Sequence, residues 1–102
     1  MTLQYLPECE DEIDSALNGY EQKRSGLGAE FVQTVRSEVE NIASDLHRFP
    51  IVAGLRSPEA MRYALMHHFP YLSVFRPTNG HLLVIAVAHH SRQWGYWRFR
   101  VH

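Results

Sequence analysis

The sequence has very little cysteine and lysine, and its C-terminal part has no acidic residue at all. One cysteine in 102 residues cannot form an internal disulfide, and Cys9 falls on an apolar helical stripe typical of a core thiol. No run approaches the roughly 18 apolar residues of a membrane span, and the N-terminus lacks the basic and apolar regions of a signal peptide. We therefore expect one cytoplasmic domain, residues 1–102, with no membrane contact.

The uneven placement of acids divides the chain into two parts of opposite charge. All eleven acidic residues lie at or before Glu59, so that residues 1–59 carry a net charge of −6. Residues 60–102 carry five arginines and six of the seven histidines, for a net charge of +5. This second part suits an anionic partner such as nucleic acid or an acidic peptide. The alternative is that the two parts pack together and neutralise each other.

Metal-binding spacings are also missing from the sequence. Four histidines, His67, His81, His89 and His90, are candidates for a zinc site by residue type. No Cys-x-x-Cys or His-x-x-x-His spacing accompanies them. We expect no metal and no cofactor.

Two amphipathic helices are predicted in the first half of the chain. Pro7 suits the first turn of a helix, and apolar residues at spacings of three and four continue over positions 9–20. Residues 25–28 interrupt the pattern, and a second apolar stripe over positions 31–46 predicts another helix, ending near His47. Because the connection is so short, we expect the two helices to be antiparallel neighbours.

The remaining pattern is that of β-strands. A short strand is expected over Leu3–Tyr5, and three more follow over Arg62–His67, Tyr71–Arg76 and His81–Ala88. The last of these has no polar alternation, which predicts the central strand of the sheet. Asn79–Gly80 is typical of a tight hairpin turn between the final two strands.

The segments between these elements carry further expectations. Residues 49–58 contain two prolines and a glycine, which favours a loop between the helices and the sheet. His67–His68 should point to opposite faces of a strand. Phe69–Tyr71 is interpreted as a bend that packs its rings on the core, and residues 89–102 form an aromatic and basic tail. The predicted fold is α+β: a short N-terminal strand, a helical hairpin and a three-stranded antiparallel sheet.

Particular residues accompany this order of elements along nearly the whole chain. They are Glu12–Ala16, Tyr20–Glu21, Gly26–Phe31, Phe49–Pro50, Arg62, Phe69–Leu72, His89–Arg92 and Tyr96–Trp97. Together they resemble the RelE/ParE family of bacterial toxins.

The resemblance implies a toxin of a type II toxin–antitoxin, or plasmid stabilisation, system. A cognate antitoxin would neutralise it by wrapping the helical hairpin and the sheet, and the assembly would be a homodimer or a heterotetramer with the antitoxin. The ParE-like branch of the family inhibits DNA gyrase. The RelE-like branch is enzymatic and cleaves messenger RNA on the ribosome without a metal.

Metal-free RNA cleavage needs a base for the 2′-hydroxyl, a cation for the phosphate and an acid for the leaving oxygen. The chain offers arginines as the cation, two histidines as acid or base, and aromatic rings for base stacking. These candidate site residues are Arg62, Arg76, His89, His90, Arg92 and Tyr96, with Trp97 as a second stacking ring. The structural alternative for Arg62 and Arg76 is that they pair with acids of the helices.

Two departures from the nuclease pattern affect the prediction. RelE-like nucleases usually carry an arginine where this chain has Tyr71. Several of them also use lysines, whereas the only lysine of this chain, Lys23, lies in the helical hairpin. We therefore favour a toxin that acts on gyrase in the ParE-like manner. The alternatives are a RelE-like messenger-RNA endonuclease and a non-toxic binding module of the same fold.

Overall fold

The computed structural model describes residues 2–52 and 60–101, and its elements follow the predicted order. One strand leads into two α-helices, and three further strands follow. The elements are β1 Thr2–Tyr5, α1 Pro7–Lys23, α2 Leu27–Ser44, β2 Arg62–Leu65, β3 Tyr71–Thr78 and β4 His81–His89, with 3-10 turns at Leu46–Arg48 and Arg98–Arg100. Of the predicted loop over residues 49–58, positions 53–58 lie outside the described residues.

Helix α1 begins and ends at residues suited to those positions. Pro7 occupies the first turn, where its missing N–H costs no hydrogen bond, and Glu8 and Glu10 place negative charge at the positive end of the helix dipole. Cys9 and Ala16 on the predicted apolar stripe are buried, so the expected core position of the thiol is confirmed.

The connection between the helices depends on two glycines and one carboxylate. Gly26 has a φ of +91°, which favours glycine, and a Cβ on Gly28 would lie 2.6 Å from the Cδ1 atom of Leu17. The carboxylate of Glu21 accepts hydrogen bonds from the backbone N–H groups of Gly26 and Gly28 at 3.0 Å each. These bonds satisfy N–H groups at the start of α2, which have no partner inside the helix.

The sheet has four strands in the order β1-β4-β3-β2. The prediction of three antiparallel strands was wrong in this respect, because β1 joins the sheet parallel to β4, with Thr2 opposite His81. The two helices supply the crossover that a parallel pair requires. The other pairs are antiparallel, and β4 lies inside the sheet, as its continuous apolar sequence predicts.

Both turns of the antiparallel part are well defined. Asn79 and Gly80 have φ values of 45° and 82°, so the predicted Asn-Gly hairpin is confirmed. Strand β2 ends at Leu65, and His67 and His68 lie exposed in the following turn, so their predicted placement in a strand was wrong. A residue of another element stabilises this turn: the carboxylate of Glu38 in α2 accepts a hydrogen bond from the backbone N–H of His67 at 2.7 Å.

Hydrophobic groups cover both faces of the sheet. The helices pack on one face through α2 residues that include Phe31, whose ring contacts Tyr20, Phe69 and Tyr71 in edge-on or tilted arrangements. The predicted packing of the Phe69–Tyr71 bend on the core is therefore confirmed, since both rings pack against it. Trp97 from the tail covers the opposite face and is 1% exposed.

Candidate functional site

A cleft of about 450 Å³ lies between helix α1 and the end of strand β4, and we name it the α1–β4 cleft. Three of the six predicted site residues, His89, Arg92 and Tyr96, line it. The other walls are Asp11, Glu12, Ser15, Ala16, Gly19, Tyr20, Lys23, Tyr71 and Val87. The cleft therefore combines the tail with α1, which sequence reasoning had not connected with the site.

The strand register separates Arg62 and Arg76 from this cleft. Arg76 lies opposite Leu83, close to the hairpin turn, whereas His89 lies opposite Tyr71 at the other end of the same hairpin. Tyr71 and Arg76 are five steps apart along strand β3, which corresponds to about 17 Å. Arg62 lies opposite Phe75, next to Arg76 in the sheet. The six predicted residues thus do not converge on one site.

Arg62 has a structural role in the chain connection after α2. Its guanidinium donates to the backbone oxygen of Phe49 at 2.6 Å and lies 3.5 Å from Nδ1 of His47. These contacts involve a carbonyl and an imidazole, whereas the structural alternative from sequence assigned Arg62 to helix acids. Arg76 is half-buried, and its Nε has no hydrogen-bond partner among the described residues.

The two adjacent histidines differ in their surroundings. His89 is half-buried, and its Nδ1 lies 3.1 Å from the backbone nitrogen of Ser91 and 2.7 Å from the Ser91 hydroxyl. Its ring also meets the ring of Tyr71 edge-on, with centroids 5.1 Å apart. His90 is exposed, and its backbone N–H donates to the oxygen of Pro70 at 2.9 Å. Of these two histidines, only His89 lines the α1–β4 cleft.

Glu12 of α1 is the centre of the polar network in the cleft. Arg100 binds its two carboxylate oxygens at 2.7 and 3.1 Å, and the hydroxyl of Tyr96 donates to it as well. Arg92 approaches to 3.8 Å, and the backbone N–H of Val87 donates at 3.3 Å. The carboxylate is only 13% exposed, so these donors replace the water it gives up.

The different lengths of β1 and β4 explain why this network forms here. β1 ends at Tyr5, opposite Val84, whereas β4 continues to His89. Beyond the end of β1, side chains bind backbone groups of β4 near this edge. Arg100 donates to the oxygen of Ile85 at 3.0 Å, and Glu12 accepts from Val87. Buried backbone groups need such partners, so the tail completes the sheet edge.

The structure gives Tyr96 and Trp97 other roles than base stacking. Burial, and then the hydrogen bond to Glu12, raise the pKa of Tyr96 to about 12. A phenol with this pKa stays protonated near neutral pH and cannot serve as a base. Arg92 covers the ring of Tyr96 at 3.8 Å from its centroid. The prediction that Trp97 stacks on a base was wrong, because its ring is buried against the sheet.

Arg92 is the most accessible cation of the Glu12 network. Its side chain is 55% exposed, whereas that of Arg100 is 15% exposed. Its distance of 3.8 Å from Glu12 is also longer than the hydrogen-bond contacts of Arg100. Arg92 can therefore meet an external group while Arg100 keeps the tail in place.

Residues 2–52 and 60–101 contain no group of three or more histidine, cysteine or acidic side chains placed to hold a metal ion. No helix within these ranges is long and apolar enough to cross a membrane.

Glu12 is the residue of this network whose contacts sequence reasoning missed. It appears in the sequence as one of four acids in the first turns of α1, where the helix dipole alone explains it. Its partners lie 75 to 88 positions later in the chain. Two sequence signals bore on it: the opposite net charges of the two chain parts, and the place of Glu12 in the segment Glu12–Ala16 that resembles the toxin family. Pairing of Glu12 with Arg92 and Arg100 shows that part of this opposite charge is neutralised internally.

Comparisons with known proteins show which solved structures have a similar fold. No family model matches the chain, and no curated protein matches its sequence. Solved structures that match include a chromosomal ParDE toxin–antitoxin system from P. aeruginosa. The likeness has a TM-score of 0.70 and covers 87% of this chain and 95% of that chain, at 13% sequence identity. The expected RelE/ParE-like α+β fold is therefore confirmed, and at this identity the likeness concerns the fold.

Proposed function

We propose that the chain is the toxin component of a type II toxin–antitoxin system of the plasmid-stabilisation kind. It works in the cytoplasm, a cognate antitoxin neutralises it, and its target is DNA gyrase, as for ParE-like toxins. The fold supports the first part of this proposal, because one of the matching solved structures is that of a chromosomal ParDE toxin–antitoxin system. Fold alone does not fix a target, so the site must supply that argument.

The observation that carries the choice of target is the Glu12 network. A metal-free nuclease needs its cation, base and acid around one phosphate. Here Arg62 and Arg76 lie toward the other end of the sheet, and Tyr96 is protonated and bonded to Glu12. Of the six predicted site residues, only His89 and Arg92 then remain in the cleft with polar groups that an external molecule can reach. One imidazole and one guanidinium do not make a complete set of catalytic groups. They are better suited to recognising a partner.

The RelE-like alternative keeps one specific observation in its favour. His89 and Arg92 line the same cleft, so an acid or base and a cation do lie near each other. A messenger-RNA endonuclease would need a second proton-transfer group close to them. The described cleft offers Tyr71, with a pKa raised by burial, for that place. A raised phenol pKa disfavours its use as a base at neutral pH.

The test is induced expression in growing bacteria. We expect growth arrest with loss of negative supercoiling in plasmid DNA and intact messenger RNA. Co-expression of an acidic protein encoded directly beside the gene should restore growth, which would identify the antitoxin. Cut messages with normal supercoiling would support the RelE-like alternative. Absence of arrest with soluble, folded chain would contradict the toxin function and leave a binding module.

A further inference from the structure

The hydrogen bonds of His89 define which of its ring nitrogens carries the proton. His89 is the last residue of β4, and its Nδ1 is approached by two groups of Ser91. The backbone nitrogen lies 3.1 Å away and the hydroxyl oxygen 2.7 Å away. A backbone N–H can only donate, so Nδ1 must present its lone pair to it.

This requirement fixes the tautomer of a neutral imidazole. A neutral ring has one proton, and with Nδ1 acting as the acceptor that proton is on Nε2. The Ser91 hydroxyl can rotate to donate to the same lone pair, so both contacts favour one arrangement. The opposite tautomer would place two N–H groups against each other at 3.1 Å.

We propose that Ser91 is a positioning residue that holds His89 with its proton on Nε2, so that the α1–β4 cleft presents a hydrogen-bond donor. The edge-on contact with Tyr71 fixes the plane of the ring, and Ser91 occupies its Nδ1 side. Nε2 is then the nitrogen that remains for a group entering the cleft. Arg92, which lines the same cleft, supplies a second donor.

The chemical class of the recognised group follows from these donors. Nε2–H and a guanidinium are both donors, so the recognised group must offer hydrogen-bond acceptors, and the carbonyl or carboxylate oxygens of a protein target meet this need. In this tautomer Nε2 cannot accept a proton from a substrate hydroxyl. His89 therefore recognises an acceptor and does not act as a general base through Nε2. This role rests on the proposed function for the identity of the target, whereas the tautomer itself does not.

The tautomer is measured by nitrogen-15 NMR of the histidine-labelled full chain at about pH 8, where an imidazole is neutral. We expect His89 to show a protonated Nε2 and an unprotonated Nδ1, distinct from the averaged pattern of exposed His90. Ser91→Ala keeps the backbone donor and should keep this signature. Ser91→Pro removes that donor and should shift His89 toward the pattern of His90. An Nδ1-protonated His89 in the unaltered chain, or one that matches His90, would overturn the proposal.

A matched pair of substitutions tests the donor role in cells. Glutamine at position 89 places an N–H donor near the position of Nε2, whereas asparagine places one near Nδ1. We expect His89→Gln to retain growth arrest and His89→Asn to lose it. Loss in both variants, with both folded, would mean that the imidazole is needed for proton transfer and would overturn the donor role. If the unaltered chain causes no arrest, the NMR result alone decides the tautomer and the failure belongs to the toxin function.

Discussion

Glu12 and Arg100 form a paired contact that joins the first helix to the end of the chain. Both guanidinium end nitrogens bind the carboxylate, at 2.7 and 3.1 Å, and the two side chains are 13% and 15% exposed. Such a two-point contact is more directional than a single one. It places Tyr96 and Arg92 beside α1, and the shape of the α1–β4 cleft therefore depends on it.

Removing one member of this pair should destabilise the protein strongly. Glu12→Ala leaves the largely buried Arg100 without its anion, and we expect a loss of about 3 kcal/mol in the free energy of unfolding. Urea denaturation followed by circular dichroism measures this loss. The matched control is Glu30→Ala, which removes the exposed ion pair with Arg24 and should cost at most about 0.5 kcal/mol. Equal losses in the two variants would contradict the assigned role of Glu12.

The two helix glycines offer a second matched comparison. A Cβ at Gly28 would lie 2.6 Å from Leu17 Cδ1 and 2.7 Å from the Leu17 oxygen, so Gly28→Ala should cost about 2 kcal/mol through forced separation of the helices. A Cβ at Gly19 meets nothing within 4 Å, and Gly19→Ala should stabilise α1 by up to about 1 kcal/mol. Thermal unfolding of both variants checks the opposite signs. Stabilisation by Gly28→Ala would contradict the close contact of the helices at Leu17, and destabilisation by Gly19→Ala would contradict the open space around that position.

The single thiol should be unreactive in the folded protein. Cys9 is fully buried, and burial, followed by the charge of Glu12, raises its pKa to about 12. The thiolate is the reactive form, so a raised pKa and burial both lower the reaction rate. A disulfide reagent at about pH 8 should label the native chain only as it unfolds, and label it completely in denaturant. Rapid labelling of the native chain would contradict the buried position.

The raised pKa of Tyr96 makes part of the stability depend on pH. Because the folded pKa of about 12 exceeds the ordinary value of 10, folding favours the protonated phenol. This contribution is present in full below about pH 10 and is lost as pH rises toward 12. The stability difference between the unaltered chain and Tyr96→Phe should therefore shrink over this range. A difference that stays constant would contradict the raised pKa of Tyr96, of which burial is the first cause and the hydrogen bond to Glu12 the second.

Much of the fold could be predicted because its signals are local. The spacing of apolar residues along α1 and α2, the Asn79–Gly80 turn and the apolar run of β4 each act within a few positions. The parallel pairing of β1 with β4 has no comparable signal, since four residues of strand reveal no partner. The end of β2 at Leu65 was missed because His67 and His68 fit a strand by pattern, while Glu38 holds their turn from another element.

The site was predicted less well for two different reasons. Separation of Arg76 from His89 follows from the predicted hairpin itself, since residues near its turn lie far from residues at its open end. The role of Glu12 does not follow in this way, because its partners Tyr96 and Arg100 lie 84 and 88 positions away. Only the folded chain brings them together.

The most direct test of the account is growth arrest by the unaltered chain compared with Arg92→Ala and Arg36→Ala. Both arginines are exposed, but Arg92 lines the α1–β4 cleft and Arg36 lies on α2 outside it. A charged hydrogen bond to a target is worth about 1.5–3 kcal/mol, or roughly tenfold or more in affinity. We predict that Arg92→Ala relieves arrest and restores supercoiling, while Arg36→Ala remains toxic. Equal toxicity of the two folded variants would contradict a target-binding role for the cleft.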